Sequence, residues 1–291
     1  MENPESEFTI LKKAQSMQEL FEYSQAKGVT LNPKLAYPTR FYPGYLGILA
    51  TESLSPYETI LTASKDSFLS INLSNTYPVK QIFIDYPEDF ADGDGGENNR
   101  FIAFILSELS KGPDSPWHTY LKNLPTDIEV LSDWTETELL ELQDDVLVQY
   151  NLNKNVQENE CNQAIQDIFK QYPSIIKPEF VDHVAWAWKV ICTRAFGRCL
   201  PFLSLIPVAD YFNHANVETN YYYGVVDDED HCEFEVNDED HDTPLPIKTV
   251  NLNYFKLAKL AISQKKQGLN AQSFLERAKE EDRKLFLKSK N

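Results

Sequence analysis

Apolar residues recur along the chain at two different spacings, and the change between them divides the sequence. Residues 7–29 place Leu11, Met17 and Leu20 on one face, which predicts a first helix. From about residue 34, short β-prone runs are interrupted by Gly, Ser and Pro, as in "YLGILATESLSPYETILTAS". This texture predicts strands joined by tight turns. The run "VKQIFIDY" at 79–86 is predicted as a further strand or an extended segment.

The middle of the chain carries the strongest helical patterns. "RFIAFILSELSKG" predicts an apolar helix that ends at Gly112, and Thr135 with Glu138 has the spacing of a capping box. Two more helices are predicted at 156–171 and 179–196. Strands, then a helical block from about residue 98 to 196, then strand-like sequence predict an α+β protein. In this fold class a helical insertion interrupts a β-rich body of short strands.

The charge balance narrows the classes of partner. The 291 residues carry a formal net charge of −18, which repels phosphate backbones and anionic lipids and attracts basic proteins. We therefore expect a basic protein substrate or partner, and neither nucleic acid nor membrane. Residues 227–242, "DDEDHCEFEVNDEDHD", hold ten acids among sixteen positions and are predicted as a solvated loop.

The first residues and the cysteines bear on the compartment. "MENPESEF" has no basic and apolar leader of the secretory type, and no apolar run approaches the length of a membrane span. The four cysteines are widely spaced, which favours free thiols. We expect an intracellular protein, either cytoplasmic or nuclear.

Three kinds of chemistry lack their sequence signatures. His214, His231, Cys232 and His241 do not have the spacing of a zinc site, so no metal is predicted. The sequence contains no G-x-S-x-G for a hydrolase nucleophile. "DGDGGENN" has glycines but no Lys-Ser/Thr after them, so it does not predict a phosphate-binding loop.

A small-molecule site is the remaining candidate, and it centres on "LIPVADYFNHA" at 205–215. The amide of Asn213 is able to donate to a carboxylate and to accept from an ammonium group. The guanidinium of Arg194 suits a carboxylate, and Gly47 allows close approach of backbone to a ligand. Such a set fits an amino acid joined to a nucleoside. The structural alternative, in which Asn213 stabilises a turn and His214 is half-buried, stays open.

Four stretches, in this order, resemble the SET-domain protein methyltransferases, and in particular the Rubisco large-subunit lysine methyltransferase-like subgroup. They are "YLGILATESLSPYETIL", the helical run from "FIAFILSELSKGPDSPWHTYLKNLP" through "SDWTETELLELQ", "FVDHVAWAWKVICTRAFG" and "LIPVADYFNHA". The resemblance covers roughly residues 40–223. It implies binding of S-adenosylmethionine and transfer of a methyl group to a protein side chain, usually lysine.

The resemblance also implies cofactor-binding residues. The backbone of Tyr45, Leu46 and Gly47 flanks the cofactor, with Tyr45 standing where the family has its first glycine. Arg194 approaches the methionine carboxylate. Asn213 hydrogen-bonds the amino-acid end, and His214 presents backbone groups to the adenine.

One part of the family's pattern is not found. The family closes its site with a later Gly-Glu…Tyr-Gly segment, whereas Tyr254 in "PIKTVNLNYFKLAKL" lacks the Gly-Glu lead. No catalytic residue is therefore assigned. An alternative follows, in which the chain is a catalytically impaired SET-derived protein that binds basic partners. The adjacent Tyr221–Tyr223 are interpreted as strand residues.

These readings predict five segments. They are an N-terminal helical segment (1–33), the N-terminal part of the SET body (34–97), a helical insertion (98–180), the C-terminal part of the body with its acidic loop (181–242) and a helical tail (243–291).

Overall fold

The computed structural model describes residues 7–42, 45–55, 58–91, 95–197, 200, 202–212, 222–226, 232–233 and 249–252. The chain divides into two compact units. The first comprises Met1–Phe68, Arg198–Pro201 and Ile206–Asn291, and the second comprises Leu69–Gly197 and Phe202–Leu205.

Helices and short strands both contribute, which confirms the predicted α+β class. The described helices are α1 (Glu7–Ala26), α2 (Lys80–Asp85), α3 (Pro87–Phe90), α4 (Gly96–Lys111), α5 (His118–Leu121), α6 (Glu136–Leu140), α7 (Asp145–Phe169), α8 (Pro178–Val181) and α9 (Val184–Arg194). The described strands are β1 (Thr30–Leu31), β2 (Leu35–Tyr42), β3 (Tyr45–Ala50), β4 (Leu61–Ser64), β5 (Leu69–Ser70), β6 (Ser204–Leu205), β7 (Tyr222–Val226), β8 (Cys232–Glu233) and β9 (Thr249–Leu252).

The first unit contains a five-stranded antiparallel sheet in the order β1-β4-β9-β7-β8 and a separate hairpin of β2 and β3. Helix α1 confirms the first predicted helix, and it buries Met17 and Leu20. Strand β7 confirms that Tyr222 and Tyr223 are strand residues.

Two predictions about the end of this unit are wrong at the residues that are described. The acidic segment 227–242 contains strand β8, which pairs with β7. The segment 243–291, predicted as a helical tail, contains strand β9, which pairs with β4 and β7. The alternation Thr-Val-Asn-Leu at 249–252 has the two-residue period of a strand. The prediction of a helix followed the longer helical pattern after these four residues. The other residues of 227–291 lie outside the described part, apart from these two strands.

The second unit is organised around α4, which packs against α3, α8 and α9. Side chains on several sides of α4 are fully buried, including Phe101, Ile105 and Leu106. The helix ends at Gly112, whose φ of 58° favours glycine, as predicted. A two-stranded antiparallel pair of β5 and β6 completes this unit.

A buried carboxylate lies near the end of α4. Glu108 is only 2% exposed. Its Oε2 accepts a hydrogen bond of 2.6 Å from Ser115, and its Oε1 forms an ion pair with Lys111. The Ser115 hydroxyl oxygen in turn accepts from the backbone N–H of Trp117 at 3.0 Å. Because each group has a partner, burial of this charge is compensated, and the network fixes the chain that leaves α4.

The predicted capping box is confirmed. Thr135 accepts from the backbone N–H of Glu138 at 3.3 Å, and Glu138 accepts from the backbone N–H of Thr135 at 2.8 Å. The helix predicted at 156–171 is the second part of α7, and the helix predicted at 179–196 is divided into α8 and α9.

The stretch "VKQIFIDY" was predicted as a strand or an extended segment, and this is wrong, because Lys80–Asp85 form helix α2. Ile82 is buried while Ile84 is 51% exposed. The apolar run therefore has one buried face, as a short helix requires. Among the described helices, none combines the length and the apolar character needed to cross a bilayer.

Prediction: Gly28→Ala destabilises the first unit by more than about 1 kcal/mol. Gly28 has a φ of 86°, and an added Cβ would lie 2.6 Å from Cβ of Ser64. Gly95→Ala is the matched control, since Gly95 has a φ of 88° but nothing within 4 Å of the added Cβ. Urea unfolding measures both variants. Equal losses would show that the contact with Ser64 adds nothing to the backbone strain.

Candidate cofactor site

Gly47 lies in β3, where the β2–β3 hairpin is irregular. Gly47 is buried and pairs with Thr39, and the next residue of β2, Arg40, pairs with Leu46. The register of the hairpin shifts between Ala36 and Thr39 and again between Arg40 and Tyr42. Such irregularities bend a strand and change the direction of its backbone groups. Tyr45 and Leu46 also lie in β3, with their backbones paired to Tyr42 and Arg40, and their side chains are outside the described part.

The chain that leaves β3 is held by Glu58, from the stretch "SPYETI". Its carboxylate accepts hydrogen bonds from Lys34 Nζ at 2.9 Å, the backbone N–H of Ser55 at 2.7 Å and Asn32 Nδ2 at 3.2 Å. The hydrogen bond from Lys34, followed by that from Ser55, lowers the pKa of Glu58 to about 2. The charged carboxylate thus joins the turn after β3 to the segment between β1 and β2.

Arg194 is the last residue of α9 and is half-buried. Helix α9 buries Val184, Ala187 and Val190, so the apolar face of the helix fixes where it ends. Two residues later, Phe196 pairs with Ser204 through two backbone hydrogen bonds of 2.8 and 2.9 Å. The guanidinium is carried at the negative end of the helix dipole, which favours its charge.

Residues 206–212 form a tight turn that leads directly to Asn213. Ile206, Val208 and Ala209 are fully buried. The backbone N–H of Tyr211 donates to the carbonyl of Val208 at 3.1 Å, and that of Phe212 donates to Ala209 at 3.2 Å.

Val208 has a φ of 71° and a ψ of −42°. These angles are rare for a β-branched residue, and they approach those of the strained classic γ-turn. Strain of this kind persists only where the surrounding packing enforces it, and it is concentrated at ligand sites. Sequence reasoning missed Val208, because a valine gives no signal for positive φ.

An aromatic cluster supports this turn within the first unit. The ring of Tyr37, on β2, lies edge-to-face with Phe21 at 5.5 Å and with Tyr211 at 5.7 Å between centroids. Edge-to-face pairs favour one relative orientation of their rings. The cluster therefore links α1, β2 and the turn before Asn213, and it was not identified from the sequence.

Asn213 and His214 lie outside the described residues. The predicted convergence of Arg194 and Asn213 on one ligand stays a prediction, as do all six assigned cofactor contacts. Within the described part, no three metal-ligating side chains cluster. A small cleft of about 100 Å³ in the second unit is lined by residues that include Phe104, Lys111 and Lys177, and by none of the six.

Comparisons with known proteins bear on the class of protein. No family model matches the sequence. The chain is 32% identical over 117 residues to the chloroplastic "Ribulose-1,5 bisphosphate carboxylase/oxygenase large subunit N-methyltransferase" of Pisum sativum, a match covering 39% of this chain and 24% of that protein. It is also 32% identical over 116 residues to the chloroplastic "[Fructose-bisphosphate aldolase]-lysine N-methyltransferase" of Arabidopsis thaliana, covering 39% of this chain and 24% of that protein. The chloroplastic "Ribulose-1,5 bisphosphate carboxylase/oxygenase large subunit N-methyltransferase" of Nicotiana tabacum is 24% identical over 212 residues, covering 70% of this chain and 40% of that protein.

Solved structures show the fold. The SET domain of LSMT bound to lysine and AdoHcy matches with a TM-score of 0.57 and 23% identity, over 82% of this chain and 53% of that chain. Rubisco LSMT bound to AdoMet matches with the same TM-score and 22% identity, over 85% of this chain and 55% of that one.

The chain has the fold of a SET domain. In sequence it resembles the Rubisco large-subunit lysine methyltransferase-like subgroup, as predicted. It spans 24–40% of the length of the curated relatives.

One prediction is corrected by the comparison. The three relatives are chloroplastic, and this finding contradicts the expected cytoplasmic or nuclear location. That expectation used the lack of a secretory signal. This criterion separates secreted proteins from others but does not distinguish the compartments within a cell.

Prediction: Glu58→Gln lowers the free energy of unfolding most at neutral pH. The folded-state pKa of about 2 is below the ordinary value, so the stabilising effect of the carboxylate is present above that ordinary value. It is lost as the pH falls from about 4.5 through about 2. Urea unfolding at a series of pH values measures the difference between wild type and variant.

Glu52→Gln is the control for this prediction, because Glu52 is exposed and its side chain makes no hydrogen bond or ion pair within the described part of the chain. A difference between wild type and Glu58→Gln that stays constant from pH 7 to pH 3 would contradict the assigned role of the charge.

Proposed function

We propose that the chain binds S-adenosylmethionine and transfers its methyl group to a side chain of a protein substrate, with lysine as the acceptor. The observation that carries this proposal is the SET-domain fold. It is shared over 82–85% of the chain with structures described as bound to AdoMet, AdoHcy and lysine. The sequence similarity to proteins named lysine N-methyltransferases supports the same function.

The chemistry of the available donors fits such a cofactor. Gly47, buried in an irregular strand, lets main-chain groups come close to a ligand. Arg194 is held at a helix end and carries the planar fork that pairs with a carboxylate. In the proposal, Asn213 binds the amino-acid end and His214 offers backbone groups to the adenine, with Tyr45 and Leu46 beside them.

The cofactor, when bound, supplies an electrophilic methyl group on a sulfonium. The residues of the chain then have two tasks, which are to align the incoming amine with that methyl group and to keep water away from it. The strained turn at Val208 and the Tyr37 cluster support the first task, because they fix the backbone that enters Asn213. No catalytic side chain is assigned.

The proposed substrate is a basic protein. The net charge of −18 raises the local concentration of positively charged partners. The relatives are named for Rubisco and for fructose-bisphosphate aldolase, which supports a protein as the acceptor. The comparisons favour an enzyme over the alternative of a catalytically impaired binding protein, because each relative is named an N-methyltransferase.

Prediction: S-adenosylmethionine binds the chain in isothermal titration, and Asn213→Ala weakens the affinity by at least about tenfold. The variant loses two directed hydrogen bonds, each contributing about 0.5–1.5 kcal/mol or more where the partner is charged. Arg194→Lys is expected to weaken binding as well, because lysine keeps the charge but loses the fork.

Asn72→Ala is the matched control, since Asn72 is exposed in the second unit and its side chain makes no hydrogen bond to another described residue. Unchanged affinity in Asn213→Ala would refute the site assignment. A wild-type chain that fails to bind the cofactor even at millimolar concentration would remove the enzyme proposal altogether.

Prediction: the chain transfers a tritiated methyl group to a lysine-rich protein such as histone, and the label is recovered on lysine after hydrolysis. Transfer is expected to increase with pH up to about 9, because the reacting amine must be neutral and lysine has a pKa near 10.4. Cofactor binding without any transfer, across several basic proteins, would favour the binding-protein alternative.

A further inference from the structure

The first two turns of α7 expose apolar side chains on one surface. Val146 is 81% exposed, Tyr150 is 61% exposed and Leu147 is 36% exposed. Spacings of three and four residues bring side chains together on a helix surface. Tyr150 therefore neighbours both Val146 and Leu147. These three residues are called the α7 patch below.

The opposite side of the same turns faces the protein interior. Val148 is 4% exposed and Asn151 is 7% exposed. Asn151 Nδ2 also donates to the carbonyl of Leu147 at 2.9 Å. Because this inner face packs against the protein, the α7 patch lies on the side of the helix that faces solvent. Contiguous exposed apolar residues surrounded by polar ones are typical of interaction sites.

The sequence that leads into the patch is strongly acidic. Residues 123–153 contain no Lys, Arg or His. They contain eight Asp and Glu residues, all of them at positions 127–145. These eight residues, the acidic frame, are Asp127, Glu129, Asp133, Glu136, Glu138, Glu141, Asp144 and Asp145. Of the ion pairs within the described part, one involves the frame, and it joins Asp133 to Lys189 at 2.5 Å. The frame therefore keeps most of its negative charge available to a partner.

We propose that the α7 patch and the acidic frame form a docking surface for a lysine- and arginine-rich segment of the protein substrate that also carries apolar side chains. The apolar side chains of the segment cover Val146, Leu147 and Tyr150, and its cations lie against the frame. Such an interface has an apolar centre with charges at its rim. The rim charges increase the rate of association more than they increase affinity.

The charge of the frame argues against two other occupants. A second copy of the chain in a two-fold dimer would place one acidic frame against the other, which is unfavourable. A nucleic acid would meet the same repulsion from its phosphates. A basic segment is the occupant whose charge complements the surface.

This inference rests on the proposed function in so far as it identifies the partner as the methylated substrate. The test uses the full chain and a fluorescent peptide of about 18 residues, with leucines at helical spacing and lysines elsewhere. Anisotropy measures binding at about 0.05 M and 0.3 M salt. We expect binding at low salt, weakened by the double variant Val146→Ser/Tyr150→Ser by about tenfold or more.

Two further variants separate the apolar and charged contributions. Val156→Ser is the matched control, because Val156 is 58% exposed on the same helix but lies about 120° around the axis from Tyr150. It is expected to bind like the wild type. Glu141→Gln/Asp145→Asn is expected to weaken binding at low salt and to reduce the salt dependence, because these substitutions remove charge with little change in shape.

Several outcomes would overturn the inference. They are equal losses in the Val156 and Val146/Tyr150 variants, undiminished binding of a peptide with serine in place of lysine, or a dimer in sedimentation that Val146→Ser/Tyr150→Ser dissociates. Titration of the same variants with S-adenosylmethionine separates this inference from the proposed function. If the patch variants lose peptide binding but still bind the cofactor, the result supports the docking surface. If the wild-type chain binds the peptide but never binds the cofactor, the result refutes the proposed enzyme activity and leaves the docking surface standing.

Discussion

Strand β9 lies in the middle of the five-stranded sheet, and the continuity of that sheet depends on its pairing. Its backbone pairs with β4 on one side and with β7 on the other. Without it, β4 and β7 would each present a row of unpaired N–H and C=O groups. The pairing of Leu61 with Leu252 joins distant parts of the chain, so loop-closure entropy opposes it until the rest of the unit has formed. The unit that contains Gly47 and the Val208 turn therefore depends on a long-range contact.

The second unit could be predicted largely from local sequence, because local interactions determine its helices. Thr135 and Glu138 satisfy each other's backbone donors three residues apart, and Gly112 ends α4 through its own conformational freedom. Two features of this unit could not be predicted. One is helix α2, whose short apolar run was predicted as a strand or an extended segment, and the other is the network of Glu108. A glutamate within an apolar helix has no sequence signal for burial, since its burial depends on Ser115 and Lys111 meeting it.

The first unit was less predictable, because its strands are short and its contacts are non-local. A strand of four residues such as β9 contains at most two alternations of polar and apolar residues. A longer helical pattern next to it gives the stronger periodic signal. Of the candidate site, the sequence identified the residue types suited to a zwitterionic ligand. It could not identify the Tyr37 cluster or the φ of Val208, since these arise where α1, β2 and the turn pack together.

Because the chain is acidic, the proposed enzyme has to recognise its substrate and react with the acceptor lysine at different residues of that substrate. Carboxylates attract lysines in their charged form and stabilise that charge, whereas methyl transfer requires a neutral amine. A lysine held by the acidic frame would therefore be a poor acceptor, and recognition by charge has to act on other cations of the substrate. A docking surface such as the α7 patch meets this requirement, because its apolar contacts secure the segment without stabilising an ammonium group. The same reasoning explains why affinity for the segment and reactivity of the acceptor are expected to vary independently.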